Sequence, residues 1–562
     1  MVLTRIFAAL SACLLLILSP LQAQSLRYPM AIGLAEVADW SVQQPFLDVM
    51  KTARPWIGHR PGQWGGMDED DLAGLGILDD NGWPRSIPRD LGSIGTVILT
   101  ELPPEAVSLS GRYRLTFSGT GIVEVAGRAQ KVRYGKGEVT FNFTPGPGSV
   151  DIRIQRSDPA RKGDYVRDIK VVKLANVAAF DGGAIFNPDW LARVRGFSAL
   201  RFMDWMGTNN SHQSVWADRP KVAEYSWARF GVPLEIMLAL AAELNADAWV
   251  NIPHLADDDY VARFAAMTRA ALPGDRKVYV EFSNEVWNGR FGQARWASEA
   301  AQARWGDKDA GGQYYAMRAA EVAGIWAREF QGDASRLVNV ISTQTDWLGR
   351  EGDILTAPLW VGEGNPPPAE AFHAYAVTGY FGGLLGAKDR AAMVRGWIAD
   401  SRQRAEQAAE AQGLSGADRD GFIAQTQYDA ATVQAALELR DGQVSGDDAG
   451  SLAQLLGTYL PYHADVARDY GLDLIMYEGG SHVVGLGDMV DDPDLTGFFT
   501  HLNYTPEMAA LYTDLIAGWY DLGGQLFNVY ADLGRPGKWG SWGALRYLSD
   551  SNPRWEAIVK FR

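Results

Sequence analysis

Eight apolar runs, separated by segments with helical periodicity, constrain the fold of this chain more than any other feature. They cover residues 30–37, 197–205, 246–254, 277–282, 337–343, 374–380, 472–478 and 524–530. Helical spacing fills stretches such as 233–244, 292–304 and 313–330. Apolar runs of this length read as strands, and a 3.6-residue repeat reads as helix. Alternating strands and helices build a parallel sheet, and eight repeats close it into a (β/α)8 TIM barrel. The expected fold is therefore α/β.

Two blocks break the alternation. The first strand and a helix opening at Pro45 to Met50 fall within residues 24–94, where the Gly-, Pro-, Trp- and Asp-rich stretch 56–88 reads as an irregular connection. Residues 95–174 then hold short alternating strands separated by Gly-rich turns, the pattern of an inserted β-sandwich. It has the look of a carbohydrate-binding module or of a purely structural sandwich, and no aromatic row separates the two. Residues 175–562 complete the barrel, with an Ala-, Gln- and Glu-rich helical insertion at about 387–455. That insertion fits either a lid over the cleft or a thickened outer ring.

The N-terminus carries export signals. Arg5 precedes an apolar run over residues 6–18, and Leu21-Gln22-Ala23 resembles a signal-peptidase site. Residues 1–23 are expected to be a signal peptide, giving a secreted or periplasmic chain that begins at Gln24. The run is shorter than the ~20 residues of a membrane helix, and no membrane span is expected after cleavage. Leu10-Ser11-Ala12-Cys13 resembles a lipoprotein box, but the apolar run continues past Cys13, which favours cleavage after Ala23. Cys13 is the single cysteine, so the mature chain would depend on its core rather than on disulfides. A formal net charge of −16 repels phosphate backbones and anionic lipids, which argues against nucleic-acid and membrane-surface partners.

The chemistry sits where two of the strands end. The fourth run ends in Ser283-Asn284-Glu285 and the seventh in Tyr477-Glu478-Gly479-Gly480. The carboxyl ends of barrel strands form the face that carries active sites. A single Glu at a strand end is ordinarily a cap or an ion-pair partner. Two, on strands across the barrel mouth, can face each other as retaining glycoside hydrolysis requires, with carboxyls ~5–5.5 Å apart.

This combination resembles the retaining (β/α)8 glycosidases of glycoside hydrolase clan A. The resemblance covers the barrel, and its specific content is Asn284-Glu285, Glu478 and Arg201. It implies that Glu285 is the general acid/base, Glu478 the nucleophile and Asn284 a sugar-binding residue. It further implies that Arg201 hydrogen-bonds the nucleophile, that His254 binds substrate and that Tyr380 donates to the nucleophile. Arg201 also fits a structural salt bridge, and His254 a core position. The function implied is cleavage of a β-linked poly- or oligosaccharide, a chemistry that requires no metal or organic cofactor. The alternative is a non-catalytic carbohydrate-binding or cell-surface protein on the same scaffold.

Other residues complete the expected substrate-binding set. Of 20 tryptophans, Trp205, Trp287, Trp539 and Trp542 fall in or near loops on the predicted active face, and Asn209 lies in the polar loop 208–212. Flat aromatic faces stack on sugar rings, although each Trp alone is as apt to pack as to bind. The acidic clusters at 68–71, 257–259 and 491–494 lack EF-hand spacing and read as solvated loops, so no metal site is expected. Ser211-His212 has no Gly-x-Ser-x-Gly elbow to support a serine hydrolase.

Overall fold

The computed structural model describes residues 28–562. The expected signal peptide, with Arg5 and Cys13, lies outside the described residues. Eight parallel strands close a barrel. They are β1 (Met30–Gly33), β2 (Ala199–Arg201), β3 (Asp247–Ile252), β4 (Val278–Phe282), β5 (Leu337–Ser342), β6 (Ala374–Phe381), β7 (Asp473–Ser481) and β8 (Leu526–Val529). β1 pairs with both β2 and β8, which completes the ring.

Side chains alternate across each strand, so the barrel has two apolar cores. Val278, Val280 and Phe282 of β4 point outward and join the large core beneath the helices. The lumen holds a separate cluster that includes Ala31, Ala199, Trp249, Ile475, Tyr477 and Leu526. Alanines on β1 and β2 leave room there for Trp249 and Tyr279, whose rings stack at 5.5 Å.

Two antiparallel sheets lie between β1 and β2 in the chain. One contains Gly111–Ser118, Gln130–Tyr134, Glu138–Phe143 and Arg167–Lys173. The other contains Ile57–His59, Gly66–Met67, Ser93–Ile98, Gly121–Gly127 and Val150–Ser157. The second sheet thus begins well before residue 95, inside the stretch expected to be irregular. Its first two strands have only 3 and 2 residues, too few to show a period.

The helix expected from Pro45 shrinks to one turn, Val49–Thr52. The segment is drawn to the sandwich instead: Asp48 accepts from Met50 N and from Val171 N at 2.8 Å. The acidic clusters are helix starts rather than loose loops. Asp68, Asp257 and Asp492 each accept backbone N–H groups as N-caps.

The insertion after β6 forms the helices Lys388–Ala411, Gly416–Thr426 and Asp429–Asp441. The chain then returns to the barrel mouth, where Gly382 N donates to Gly450 O at 2.8 Å. No helix among the described residues is long and apolar enough to cross a membrane.

Candidate active site

Glu478 faces the mouth because β7 carries an extra residue. Met476 pairs with Val377 and Glu478 with Thr378, so Tyr477 is bulged. Without the bulge, Ile475 and Tyr477 would face the lumen and Glu478 the helices. With it, Tyr477 and Glu478 both serve the site, as bulges beside active sites commonly allow. The glycines that follow are required by space. A Cβ on Gly479 would meet Met476 Sδ at 2.4 Å, and one on Gly480, at φ +145°, would meet Tyr512 Oη at 2.4 Å.

Glu285 is set by a tight left-handed turn after β4. Ser283 and Glu285 have φ of +60° and +41°, a region costly for residues with a Cβ. Hydrogen bonds hold the turn in place. Asn251 Nδ2 donates to Ser283 O at 2.8 Å, Gln293 Nε2 to Asn284 O at 2.8 Å, and Asn288 N to Glu285 O at 2.8 Å. Asn288 Nδ2 also donates to Glu285 Oε2 at 2.8 Å, and Tyr477 Oη to Oε1 at 3.0 Å.

Arg201 links the two strand ends. Its Nη1 donates to Glu478 Oε1 at 2.7 Å, and its Nη2 to Glu281 Oε2 at 3.0 Å and Asn284 Oδ1 at 2.9 Å. The guanidinium lies over the rings of Trp249 and Tyr477, at 5.4 and 5.3 Å. Burial opposes its charge, but Glu281 and Glu478 outweigh burial and keep it protonated. Tyr380 Oη donates to the other oxygen of Glu478, Oε2, at 2.8 Å.

Burial pushes the Glu478 carboxyl up to about 8; Arg201 and Tyr380 pull it down, and the charge of Glu285 adds to the rise. The hydrogen bonds oppose burial. Both carboxyl oxygens accept, one of them from a donor that is always charged, and that arrangement favours the carboxylate.

Sequence reasoning missed Glu281. It is 0% exposed, and besides Arg201 it accepts from Trp249 Nε1, Asn251 Nδ2 and Ser342 Oγ at 3.1, 2.8 and 3.1 Å. A charged residue in the middle of a barrel strand was the available signal, since such a group must find partners in the lumen. Also missed were the Tyr477 hydroxyl, Gln293, and Asp204, which accepts from Tyr530 Oη at 3.2 Å.

Two cavities open on this face. One, of about 640 Å³, is lined by Glu285, Trp287, Tyr380, Tyr477 and His482, and by Gly450, Ser451 and Gln454 from the end of the insertion. The insertion therefore contributes a wall of the cleft. The second, of about 630 Å³, is lined by residues that include Glu36, Asp204, Asn209, His212, Glu224 and Phe230.

The expected binding residues divide between these cavities and the core. Trp287 lines the first cavity, and Trp542 packs edge-on against Tyr380 at 5.7 Å. Asn209 reaches the second cavity while its Oδ1 accepts from Asn284 Nδ2 at 3.2 Å and Gln293 Nε2 at 2.7 Å. Trp205 is largely packed away, 1% exposed, stacked on Trp190 at 5.8 Å and donating to Ala35 O, and its remaining edge lines the second cavity. His254 is buried edge-on against Trp296 and lines neither cavity; burial lowers it to about 4, leaving a neutral imidazole. Trp539 is 68% exposed under Lys538 and also lines neither cavity.

No protein-family model matches the chain, and no curated protein matches it. Among solved structures it is similar to the Ignisphaera aggregans GH53 catalytic domain, at 11% identity over 68% of this chain and 89% of that one, with a TM-score of 0.30. It is also similar to the endo-beta-1,4-mannanase from Thermotoga petrophila, at 13% identity over 66% and 71% of the two chains, with a TM-score of 0.22. A third is the hyperthermostable endo-1,4-beta-D-mannanase from Thermotoga petrophila RKU-1, at 13% identity over 66% and 92%, with a TM-score of 0.22. Likeness this slight carries nothing about chemistry, but the closed ring of eight parallel strands makes the chain a (β/α)8 barrel in its own right.

Proposed function

We propose that the chain is a retaining glycoside hydrolase of the clan A type, exported from the cell, that cleaves a β-linked poly- or oligosaccharide. The observation that carries this reading is the hydrogen-bonded unit joining the ends of β4 and β7. Arg201 and Tyr380 donate to Glu478, and Tyr477, the neighbour of Glu478, donates to Glu285.

In this reading Glu285 gives its proton to the glycosidic oxygen while a Glu478 oxygen attacks the anomeric carbon. The C–O bond to the leaving sugar breaks and a glycosyl-enzyme ester forms. Glu285, now a carboxylate, takes a proton from water, which attacks the same carbon and releases Glu478. Two inversions leave the configuration retained. Tyr380 and Arg201 hold the carboxylate of Glu478 as it departs, a role that fixed donors fill without reorganisation.

The test uses an activated aryl β-glycoside and added azide. Glu285→Ala should still form the glycosyl-enzyme, and azide should then yield a β-glycosyl azide. Glu478→Ala should yield the azide of opposite configuration. On natural substrate both variants should lose at least about 10²-fold, the lower end of general acid–base assistance. Activity near wild type in both, without rescue, would favour a carbohydrate-binding protein instead.

A further inference from the structure

The first cavity belongs to one side of the reacting pair. Glu285 lines it and Glu478 does not. In the proposed chemistry the acid protonates the oxygen that departs, while the nucleophile attacks the anomeric carbon from the opposite face. The sugar joined through that oxygen therefore lies on the Glu285 side, in this cavity. One wall there comes from the end of the helical insertion, which has no part in the barrel itself.

The end of the insertion is shaped for this position. Leu452–Gln454, Leu455–Tyr459 and Leu460–Tyr470 run on as one helix, and the middle segment is a π turn in which Leu460 N donates to Leu455 O. Pro461 accounts for the widening. It has no N–H to offer Gly457 O, and in an α-helix its ring would clash with that carbonyl. Residues five apart point about 140° away from each other on an α-helix, at about 100° per residue. An i→i+5 turn sets them almost one above the other. Gln454 and Tyr459 are such a pair, and both line the cavity.

Their polar ends are not engaged. Gln454 Oε1 accepts from Gly450 N at 2.8 Å, which fixes the amide and leaves Nε2 without an acceptor among the described residues. Tyr459 rests its ring against the core, and its hydroxyl meets no partner among the described residues. His482, which follows β7, lines the same cavity and packs against Tyr380 at 5.7 Å and Trp542 at 5.2 Å. Gly383 makes room for it, since a Cβ there would lie 2.9 Å from His482 Nδ1. Burial and the charge of Arg290 keep the imidazole neutral. It therefore carries one donor and one acceptor, and neither is used by the described residues. Asp346, exposed at the same cavity, adds an acceptor, and Leu384, Leu455 and Leu486 add apolar surface. Separate donors and acceptors on a partly apolar wall suit a pyranose, which has hydroxyls at its rim and C–H groups on its faces.

We propose that Gln454, Tyr459 and His482 form the subsite that binds the leaving sugar, so that the helical insertion selects which glycosidic bond is cleaved. The inference rests on the glycosidase reading and deepens it. The step that releases the leaving sugar runs backward through the same contacts. A sugar held there can thus take the glycosyl group in place of water. Its hydroxyl gives a proton to Glu285, its oxygen bonds to the anomeric carbon, and the ester to Glu478 breaks.

The test measures that transfer. The donors are dinitrophenyl β-glycosides of glucose, mannose, xylose and galactose, and the acceptors are the four corresponding β-1,4-linked disaccharides. The wild-type enzyme should transfer saturably to at least one acceptor. Gln454→Ala, Tyr459→Phe and His482→Ala should each lower the ratio of transfer to hydrolysis about three- to tenfold, the worth of one hydrogen bond. A variant that is merely damaged loses both reactions together and keeps the ratio. Should one variant fail to fold, the other two decide. Calorimetry with the same disaccharides tests binding without turnover. Hydrolysis without saturable transfer, or a ratio unchanged in the variants, overturns the subsite and leaves the glycosidase. Disaccharide binding that the variants weaken, with no turnover of any donor, supports the subsite and counts against the hydrolase. Neither binding nor turnover overturns both.

Discussion

Arg201→Met removes the cation that two buried carboxyls share. Methionine keeps much of the volume between the Trp249 and Tyr477 rings but none of the hydrogen bonds to Glu478, Glu281 and Asn284. Breaking a buried pair by removing one partner costs about 3–5 kcal/mol, and with two carboxyls stranded the upper end is expected. The kinetic effect has a definite shape. A pair of unit charges about 4 Å apart at an effective dielectric of about 20 interacts by about 4 kcal/mol, or about three pKa units. Arg201 is divided between Glu281 and Glu478, so a rise of about one to two units at Glu478 is the reasonable size. Glu478 already stands high from burial, at about 8. Each further unit leaves about tenfold less carboxylate at pH below that value. The variant should therefore lose far more activity at pH 6 than at pH 9, and the acid limb of kcat/KM should move up. Arg201→Lys, which keeps the charge, should recover part of the limb. The assay is kcat/KM on an aryl β-glycoside from pH 5 to 9.5, with chemical denaturation alongside. A loss by the same factor at every pH would refute the claim that Arg201 sets the ionisation of Glu478.

Three further predictions follow from other contacts. Tyr477→Phe keeps the ring over Arg201 and deletes the donor to Glu285, so kcat on natural substrate should fall roughly tenfold or more, the worth of a hydrogen bond to a charged group, with little change in melting temperature; unchanged kcat would remove that hydroxyl from the mechanism. Burial holds Asp204 at about 7 and Asp532 at about 6, so the folded chain retains protons that the unfolded chain releases near pH 4. Stability from these groups is full below their unfolded values and is lost as pH rises through the folded ones, so Asp204→Asn should flatten the fall in urea stability between pH 5 and pH 8. A variant whose stability follows the wild-type curve over that range would contradict the shift. Mass spectrometry of the exported protein should find Gln24 at its N-terminus, and a lipid-modified Cys13 there would establish anchoring instead.

The barrel was legible because each of its strands is an apolar run bounded by helical spacing or loops, and Asn284, Glu285 and Glu478 were legible because they end such runs. What escaped depended on direction rather than composition. Glu281 sits between Val280 and Phe282 and looks like an isolated charge in a buried strand until Arg201, Trp249 and Asn251 are brought round it from β2 and β3. The bulge at Tyr477 leaves no mark in the apolar pattern, yet it decides which way Glu478 points. Trp205 follows its strand as a platform residue would, but Trp190 and Phe46, distant in sequence, cover most of its ring and leave only part of it to line the second cavity. Strands such as Gly66–Met67 are fixed by their partners rather than by their own residues.

The closing pair of the barrel has a consequence for how the chain is made. Ala31 of β1 lies beside Asn528 of β8, so closing the ring joins strands far apart in the sequence. At ribosomal speeds of about 5–20 residues per second, β1 waits roughly 25 to 100 s for its second neighbour. Throughout that time the barrel is an open sheet with unpaired edges, and unpaired edges invite pairing with other chains. The sandwich strands, complete by Lys173, can fold locally hundreds of residues earlier. Assembly is therefore expected to run in two stages separated by the synthesis of most of the barrel. A nascent chain arrested after β7 should carry a protease-resistant sandwich on an otherwise labile molecule, and resistance of the barrel should appear only once β8 has emerged.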